Sequence, residues 1–162
     1  MKIRYATPQD TGTILQLIKA IAEYEKMLDC VEATEEILHD SLFIKKGAEV
    51  LLGELDGKAI GFALFFHNFS TFTGKRGLYL EDIFIQPEYR NNGYGKLFFA
   101  ELAKIAKLRD CGRMEWICLD WNTPSIEFYK NRIKAIPLDE WTVYRVHAGQ
   151  FDDVVTNCIT DK

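Results

Sequence analysis

Asp56-Gly57 stands between two apolar runs, Glu49–Leu55 and Lys58–Phe66, and no other feature constrains the fold of this chain as tightly. An Asp-Gly loop supplies the φ > 0 pair of a type I′ turn, whose twist matches that of the strands it joins. The two runs are therefore an antiparallel hairpin. Further on, an apolar strand from Gly77 to Ile85 meets the break Gln86-Pro87-Glu88-Tyr89-Arg90. A helix from about Gly93 to Asp110 follows, with Leu97, Phe98, Leu102 and Ile105 as its apolar stripe, and then a strand from Met114 to Leu119. Strand–helix–strand implies a parallel crossover. A sheet that holds both a hairpin and a crossover is mixed, so the chain is an α/β domain.

The remaining elements fit around that sheet. Lys2–Ala6 reads as a short strand, with Thr7 as an N-cap and Pro8 at the first helical position. Ile14, Leu17, Ile18, Ile21 and Tyr24 recur at three and four, predicting a helix to about Met27. Thr34 caps a second helix that uses Ile37, Leu38, Leu42 and Phe43. Asn68–Arg76 reads as a polar loop, Ser125–Asn131 as a short helix opened by Pro124, and Trp141–His147 as the last strand, with a polar tail from Ala148. The order β-α-α-β-β-β-α-β-α-β, with room for one more strand, predicts six to seven strands. At 162 residues, a single domain over 1–162 is expected.

Several function classes drop out. Twenty basic against 24 acidic residues give a net charge of −4, which argues against nucleic acid as the main partner. No stretch approaches the ~20 apolar residues of a membrane span. The first residues, Met1-Lys2-Ile3-Arg4-Tyr5-Ala6, lack the apolar core of a secretory signal, so a cytoplasmic protein is expected. Cys30, Cys111, Cys118 and Cys158 form no C-x-x-C pair, and His39, His67 and His147 give no zinc spacing. Free thiols and no metal are the expectation.

The chemistry concentrates in Arg90-Asn91-Asn92-Gly93-Tyr94-Gly95-Lys96, between a strand and an amphipathic helix. The first N–H groups of a helix lack partners and sit at the positive end of its dipole. Glycine lets that backbone approach a bound group, and Asn is the next most tolerant of φ > 0. The run suits a diphosphate, with Arg90 and Lys96 supplying charge; the plainer alternative is a tight turn with two solvated cations. A Walker loop is rejected because Arg90 and Leu97 stand where it needs a glycine and a hydroxyl. The dinucleotide fingerprint fails at Phe98 and by its position past the midpoint of the chain.

R-x-x-G-x-G after a strand, joined to Leu78-Tyr-Leu-Glu-Asp-Ile-Phe-Ile85 before it and Trp121-Asn-Thr-Pro-Ser-Ile-Glu-Phe-Tyr-Lys130 after it, resembles the GCN5-related N-acetyltransferases, and among them the diamine acetyltransferase branch. The resemblance covers nearly the whole chain. It implies a mostly antiparallel, twisted sheet with helices on both faces, and acetyl-CoA as co-substrate, bound where two strands splay apart. The pantetheine would pair with the backbone of Ile83, Phe84 and Ile85, beside a β-bulge. The diphosphate would lie on Arg90, Asn91, Asn92, Gly93, Tyr94, Gly95 and Lys96. Asn122, Thr123, Pro124 and Ser125 would contact the cofactor from the other side, and Tyr129 matches the family's general acid for the departing thiolate.

A substrate ammonium of pKa ~10 must lose a proton before it attacks, which calls for a carboxylate near the thioester. Glu81 and Asp82 interrupt an apolar strand whose neighbouring residues point to opposite faces. Glu81 is assigned as base or relay; Asp82 is a substrate or structural carboxylate unless a bulge turns both inward. By the resemblance Tyr24 and Glu25 touch the substrate amine, while Glu115, Trp116 and Ile117 are placed in the cleft by position only.

The chain departs from the family pattern at Asn91 and Lys134, where glycine is usual, and at Lys26-Met27-Leu28, where polyamine acetylases stay acidic. Lys26 favours a shorter amine or a thialysine-like amino acid. The expected activity is direct acetyl transfer, in a ternary complex, to a primary amine of a small cationic substrate, by a homodimer. Two rivals are a protein N-terminal or lysine acetyltransferase, against which the Asn68–Arg76 loop argues, and a non-catalytic acyl-CoA-binding module.

Overall fold

The computed structural model describes residues 1–160. Asp56 and Gly57 both take positive φ (+50° and +78°), and the hairpin they close forms the centre of a five-stranded sheet. Its strands are β1 (Lys2–Tyr5), β2 (Glu49–Leu55), β3 (Lys58–Ser70), β4 (Lys75–Ile85) and β5 (Arg113–Glu115), in the spatial order β1-β2-β3-β4-β5. Every pairing is antiparallel except β4–β5. The mixed, mostly antiparallel sheet is thus present.

Helices cover both faces. On one, α3 (Tyr94–Leu108) lays Phe98, Phe99, Leu102, Ile105 and Ala106 against Leu51, Ala63, Phe65, Leu78 and Leu80. On the other, α1 (Thr11–Tyr24) and α2 (Glu35–His39) bring Ile14, Leu17, Ile21 and Leu38 against Val50, Leu52, Phe62 and Phe84. Thr34 Oγ1 accepts from the Ile37 amide at 3.2 Å and caps α2. The chain enters α1 through one tighter turn, Pro8–Asp10, where Asp10 accepts from the backbone and hydroxyl of Thr7 and forms a two-point pair with Arg4. No helix among the described residues is long and apolar enough to cross a membrane.

Four expectations are corrected. Among the described residues there are five strands, not six to seven: Met114–Leu119 shortens to Arg113–Glu115, and Trp141–His147 is not a strand. A strand exists only through a paired ladder, and neither residues 116–119 nor residues 141–147 pair with a neighbouring strand. Asn68–Arg76 is not a loop. Its ends extend the β3–β4 ladder (Asn68↔Gly77, Phe69↔Arg76, Ser70↔Lys75), because polar residues projecting beyond the core still satisfy their backbone in an antiparallel pair. The argument against a protein substrate that rested on a bulky loop goes with it. Leu97 lies outside the buried stripe of α3, and the tail from Ala148 contains a helix, α5 (Phe151–Thr160).

Candidate active site

The parallel ladder holds only three pairs, Gly77↔Arg113, Leu78↔Met114 and Tyr79↔Glu115. Beyond Tyr79 the two strands part, and Leu80 to Ile85 present an edge with no strand opposite. The site is built around this splay.

β4 carries its bulge at the splay. Leu64 pairs with Asp82 but Phe65 with Leu80, so Glu81 is the extra residue. The bulge inverts the alternation of the strand. Leu78 and Leu80 pack on the α3 side, and beyond the bulge so do Ile83 and Ile85, while Phe84 turns to the α1 side. Glu81 and Asp82, between Leu80 and Ile83, are both spared that core. Glu81 is exposed; Asp82 is half-buried. Burial first, then the charges of Glu81 and Glu25, push the Asp82 carboxyl up to about 6. Burial also raises Glu25, which lies just past the last residue of α1. Among the described residues neither Asp82 nor Glu25 has an ion-pair or hydrogen-bond partner.

Across the splay, α4 (Thr123–Phe128) runs into a wider turn, Tyr129–Ile133, that carries Tyr129. The phenol ring is held edge-on by Trp116 (5.3 Å between centroids), with Phe99 and Phe128 each at 5.7 Å. Burial, with Cys118 and Glu25 adding to it and a Ser125 hydrogen bond opposing it, pushes its hydroxyl up to about 12. The group is a proton donor throughout the physiological range. Tyr24, the last residue of α1, sends its hydroxyl to Oδ1 of the buried Asn122, which caps α4 by accepting from the Ser125 amide.

At the α3 N-terminus, Gly93 takes φ +79° with open space around it, and Asn91 takes φ +65°, as its place in the turn requires. Asn92 donates its amide to the carbonyls of Tyr89 and Arg90. A methyl on Gly95 would meet only Phe128, at 3.5 Å, an ordinary contact. Nothing in the protein's own packing demands glycine there, and the start of the helix stays accessible to a bound group. The fit to a diphosphate rests on this open helix end and on exposed Lys96.

Arg90 sits differently from the charge role expected of it. Its guanidinium stacks on Tyr24 (4.3 Å) and faces Phe84 (5.3 Å), while Nε donates to the Ile85 carbonyl at 2.9 Å. Glu115 is occupied by Asn68 and Arg113, Trp116 packs on Phe99 and Tyr129, and Ile117 is exposed. Pro124 opens α4, with Thr123 exposed beside it. Cys118 was missed as a site residue. Burial raises its thiol, and its charge adds to the rise of the Tyr129 hydroxyl. The signal lay in its place two residues beyond Trp116, on the segment that follows β5.

The whole-chain comparisons agree with this geometry. The acetyltransferase (GNAT) family matches residues 14–132. The thialysine N-epsilon-acetyltransferase of Sus scrofa is 38% identical over 137 residues, covering 79% of this chain and 80% of that protein. The L-ornithine N5-acetyltransferase NATA1 of Arabidopsis thaliana is 31% identical over 191 residues, covering 90% and 83%. Among solved structures, a probable acetyltransferase superposes with a TM-score of 0.77 at 22% identity, covering 91% of this chain and 98% of that one. With strand splay, bulge, glycine-bearing helix start and half-buried tyrosine in the fold, and with the family match spanning most of the sequence, the chain belongs to the GNAT family of acetyl-CoA-dependent N-acetyltransferases.

Proposed function

We propose that the protein acetylates the terminal primary amine of a small cationic substrate, a diamine, a polyamine or a thialysine-like amino acid, by direct transfer in a ternary complex. The observation that carries this is Asp82 on the splayed strand and Glu25 at the end of α1, whose charge bears on Asp82, neither with a cation of its own among the described residues. Two carboxylates left unpaired in a half-buried cleft are costly unless a ligand brings the positive charge. The named substrates of the similar proteins, thialysine and ornithine, carry such an amine.

Acetyl-CoA supplies the electrophilic thioester carbonyl and a thiolate leaving group. The N–H groups of residues 93–95 at the start of α3 would hold its diphosphate, and the unpaired edge of Ile83, Phe84 and Ile85 would hold its pantetheine. Asn122 and Ser125 at the α4 start flank it. Glu25 and Asp82 hold the ammonium, and Asp82, half-ionised near pH 6, accepts its proton at a carboxylate oxygen as the nitrogen becomes nucleophilic. Glu81, exposed at the bulge, draws cations to the cleft and relays the proton outward. Tyr129 donates its phenolic proton to the sulfur as it departs.

A homodimer working in the cytoplasm completes the proposal. Ile136, Trp141, Val143, Tyr144, Val155 and Ile159 stand exposed on the chain after α4, residues 141–147 form no ladder, and the outer edge of β5 is unpaired among the described residues. A second copy covering this arm removes the exposed apolar surface. The four free cysteines fit a reducing compartment. A panel of amines with a free-thiol readout tests the activity, and sedimentation tests the dimer. Thiol release fastest with ω-amines of small cations supports the reading. Release only with peptide N-termini or protein lysines, or with nothing, overturns it.

A further inference from the structure

The first half of α1 and the β2–β3 hairpin enclose a hollow of about 310 Å³, lined by none of the residues assigned to the cleft, with Gln86 in its wall. That volume is at the lower end for small-molecule sites. Its polar groups divide into two kinds. Arg4 is committed within the protein: it meets both oxygens of Asp10 at 2.8 Å and Oε1 of Glu54 at 2.9 Å. Asp10 also accepts from the backbone and hydroxyl of Thr7. Lys58 is uncommitted. It is exposed, stands over the Tyr89 ring at 5.5 Å, and has no ion pair among the described residues. Gln86 Oε1 is buried with no hydrogen-bond partner, a costly arrangement unless a donor reaches it. The hollow thus holds one uncommitted cation and one uncommitted acceptor, beside an apolar wall of Leu17 and Ala59.

We propose that this hollow is a second small-molecule site, for the zwitterionic head of a free α-amino acid, with its carboxylate on Lys58, its ammonium on the side-chain oxygens of Gln86 and Glu54, and its side chain along Leu17 and Ala59. A turn of the Gln86 side chain brings its oxygen to the ligand. Charge decides the class. Arg4 and Lys58 balance Asp10 and Glu54, so the lining is neutral as a whole, and a lone anion or a lone cation would leave one of the two uncommitted groups unmet. The site bears on the reaction through Gln86. Its amide donates to the Ile60 carbonyl at 2.9 Å, and the carbonyl of the preceding Ile85 is held by Arg90. A ligand that draws on Gln86 acts at the end of the strand whose Ile83–Ile85 edge is read as the pantetheine site, and so changes the affinity for acetyl-CoA. That coupling rests on the reading of the edge; the binding does not.

L-Norvaline is the probe, because it carries the zwitterionic head and no ω-amine. Calorimetric titration of the whole chain should show one site, with pentylamine and valerate, each lacking one of the two charges, bound about tenfold more weakly or worse. Lys58→Gln, a change at an exposed position, should weaken norvaline about tenfold and Gln86→Leu severalfold, while Asp82→Asn in the cleft should leave its affinity unchanged. Saturating norvaline should shift KM for acetyl-CoA about two- to threefold with kcat held, and the shift should vanish in Lys58→Gln. No binding of norvaline at about 10 mM overturns the site. So does binding that survives Lys58→Gln, and so does binding that a diamine displaces or Asp82→Asn abolishes, because the amino acid then sits in the cleft. Binding with no shift in KM overturns the coupling. Norvaline bound as expected by a protein that releases no thiol with any amine supports the site and contradicts the proposed activity.

Discussion

The Tyr24 hydroxyl donates to Oδ1 of Asn122 across 3.3 Å and so ties the last residue of α1 to the first turn of α4. The same ring lies under the Arg90 guanidinium, whose Nε holds the Ile85 carbonyl at the end of the splayed strand. One tyrosine thereby joins the amine side of the cleft to the cofactor side. Tyr24→Phe keeps the stacking and loses the hydrogen bond. Stability should fall by about 1 kcal/mol or less, and KM for acetyl-CoA should rise severalfold as Asn122 loses a partner. Steady-state kinetics beside thermal melting checks both.

Tyr129→Phe separates packing from chemistry. The ring remains among Trp116, Phe99 and Phe128, so the fold should be unchanged within about 1 kcal/mol. Loss of the donor should lower kcat by about 10²-fold or more, with little change in either KM. A kcat within twofold of wild type would remove Tyr129 from the reaction.

Asp82→Asn should show opposite effects on stability and activity. The folded carboxyl titrates at about 6 and the unfolded one at 3.8, so its contribution to stability is fully present below 3.8 and lost as pH rises through 6. Above that range the charged form costs up to about 3 kcal/mol. The variant should therefore be more stable than wild type at pH 8, by about 1–3 kcal/mol, and no more stable at pH 4. In kcat/KM the limb that rises with pH through about 6 should disappear, and the rate should fall. Chemical denaturation at the two pH values and a pH–rate profile check this; Glu81→Gln distinguishes the base from the relay by leaving that limb in place.

Lys134 holds φ +63° at the end of the turn after Tyr129, with the Ala135 amide bonded to the Tyr129 carbonyl. Lys26 holds φ +60° just after α1, where the Met27 amide reaches back to Ala22. Both are helix-end positions that glycine fills without strain. Lys134→Gly should raise stability by up to about 1 kcal/mol, read as a higher denaturation midpoint. The departure from glycine at Lys134 is thus met by strain rather than by a different turn.

What could be read from the residues depended on how local its cause is. Asp56-Gly57, Thr34 and the glycine-bearing start of α3 carry their geometry in their own side chains or lack of one, and each appears where the pattern put it. The bulge at Glu81 leaves no such mark. Its cause is the register of β4 against β3, a non-local pairing, and without it the alternation rule sends Glu81 and Asp82 to opposite faces. Trp141–His147 has a strand's composition and no strand, because a ladder needs a second edge. Arg90 was readable as a cation near an anion cradle; its stacking on Tyr24, 66 residues earlier in the chain, was not.

Gly95→Ala isolates the cradle from the fold. The added methyl meets only Phe128 at an ordinary distance, and alanine favours a helix by up to about 1 kcal/mol over glycine. Melting temperature should hold or rise, while KM for acetyl-CoA should increase at least tenfold, because the backbone can no longer approach the diphosphate closely.

The most direct measurement is a crystal structure of the protein with coenzyme A and a diamine bound. The account predicts the diphosphate on the backbone amides of residues 93–95, the sulfur within about 4 Å of the Tyr129 hydroxyl, and the amine between that sulfur and Asp82. A diphosphate bound away from the α3 N-terminus, or a sulfur out of reach of Tyr129, would contradict it.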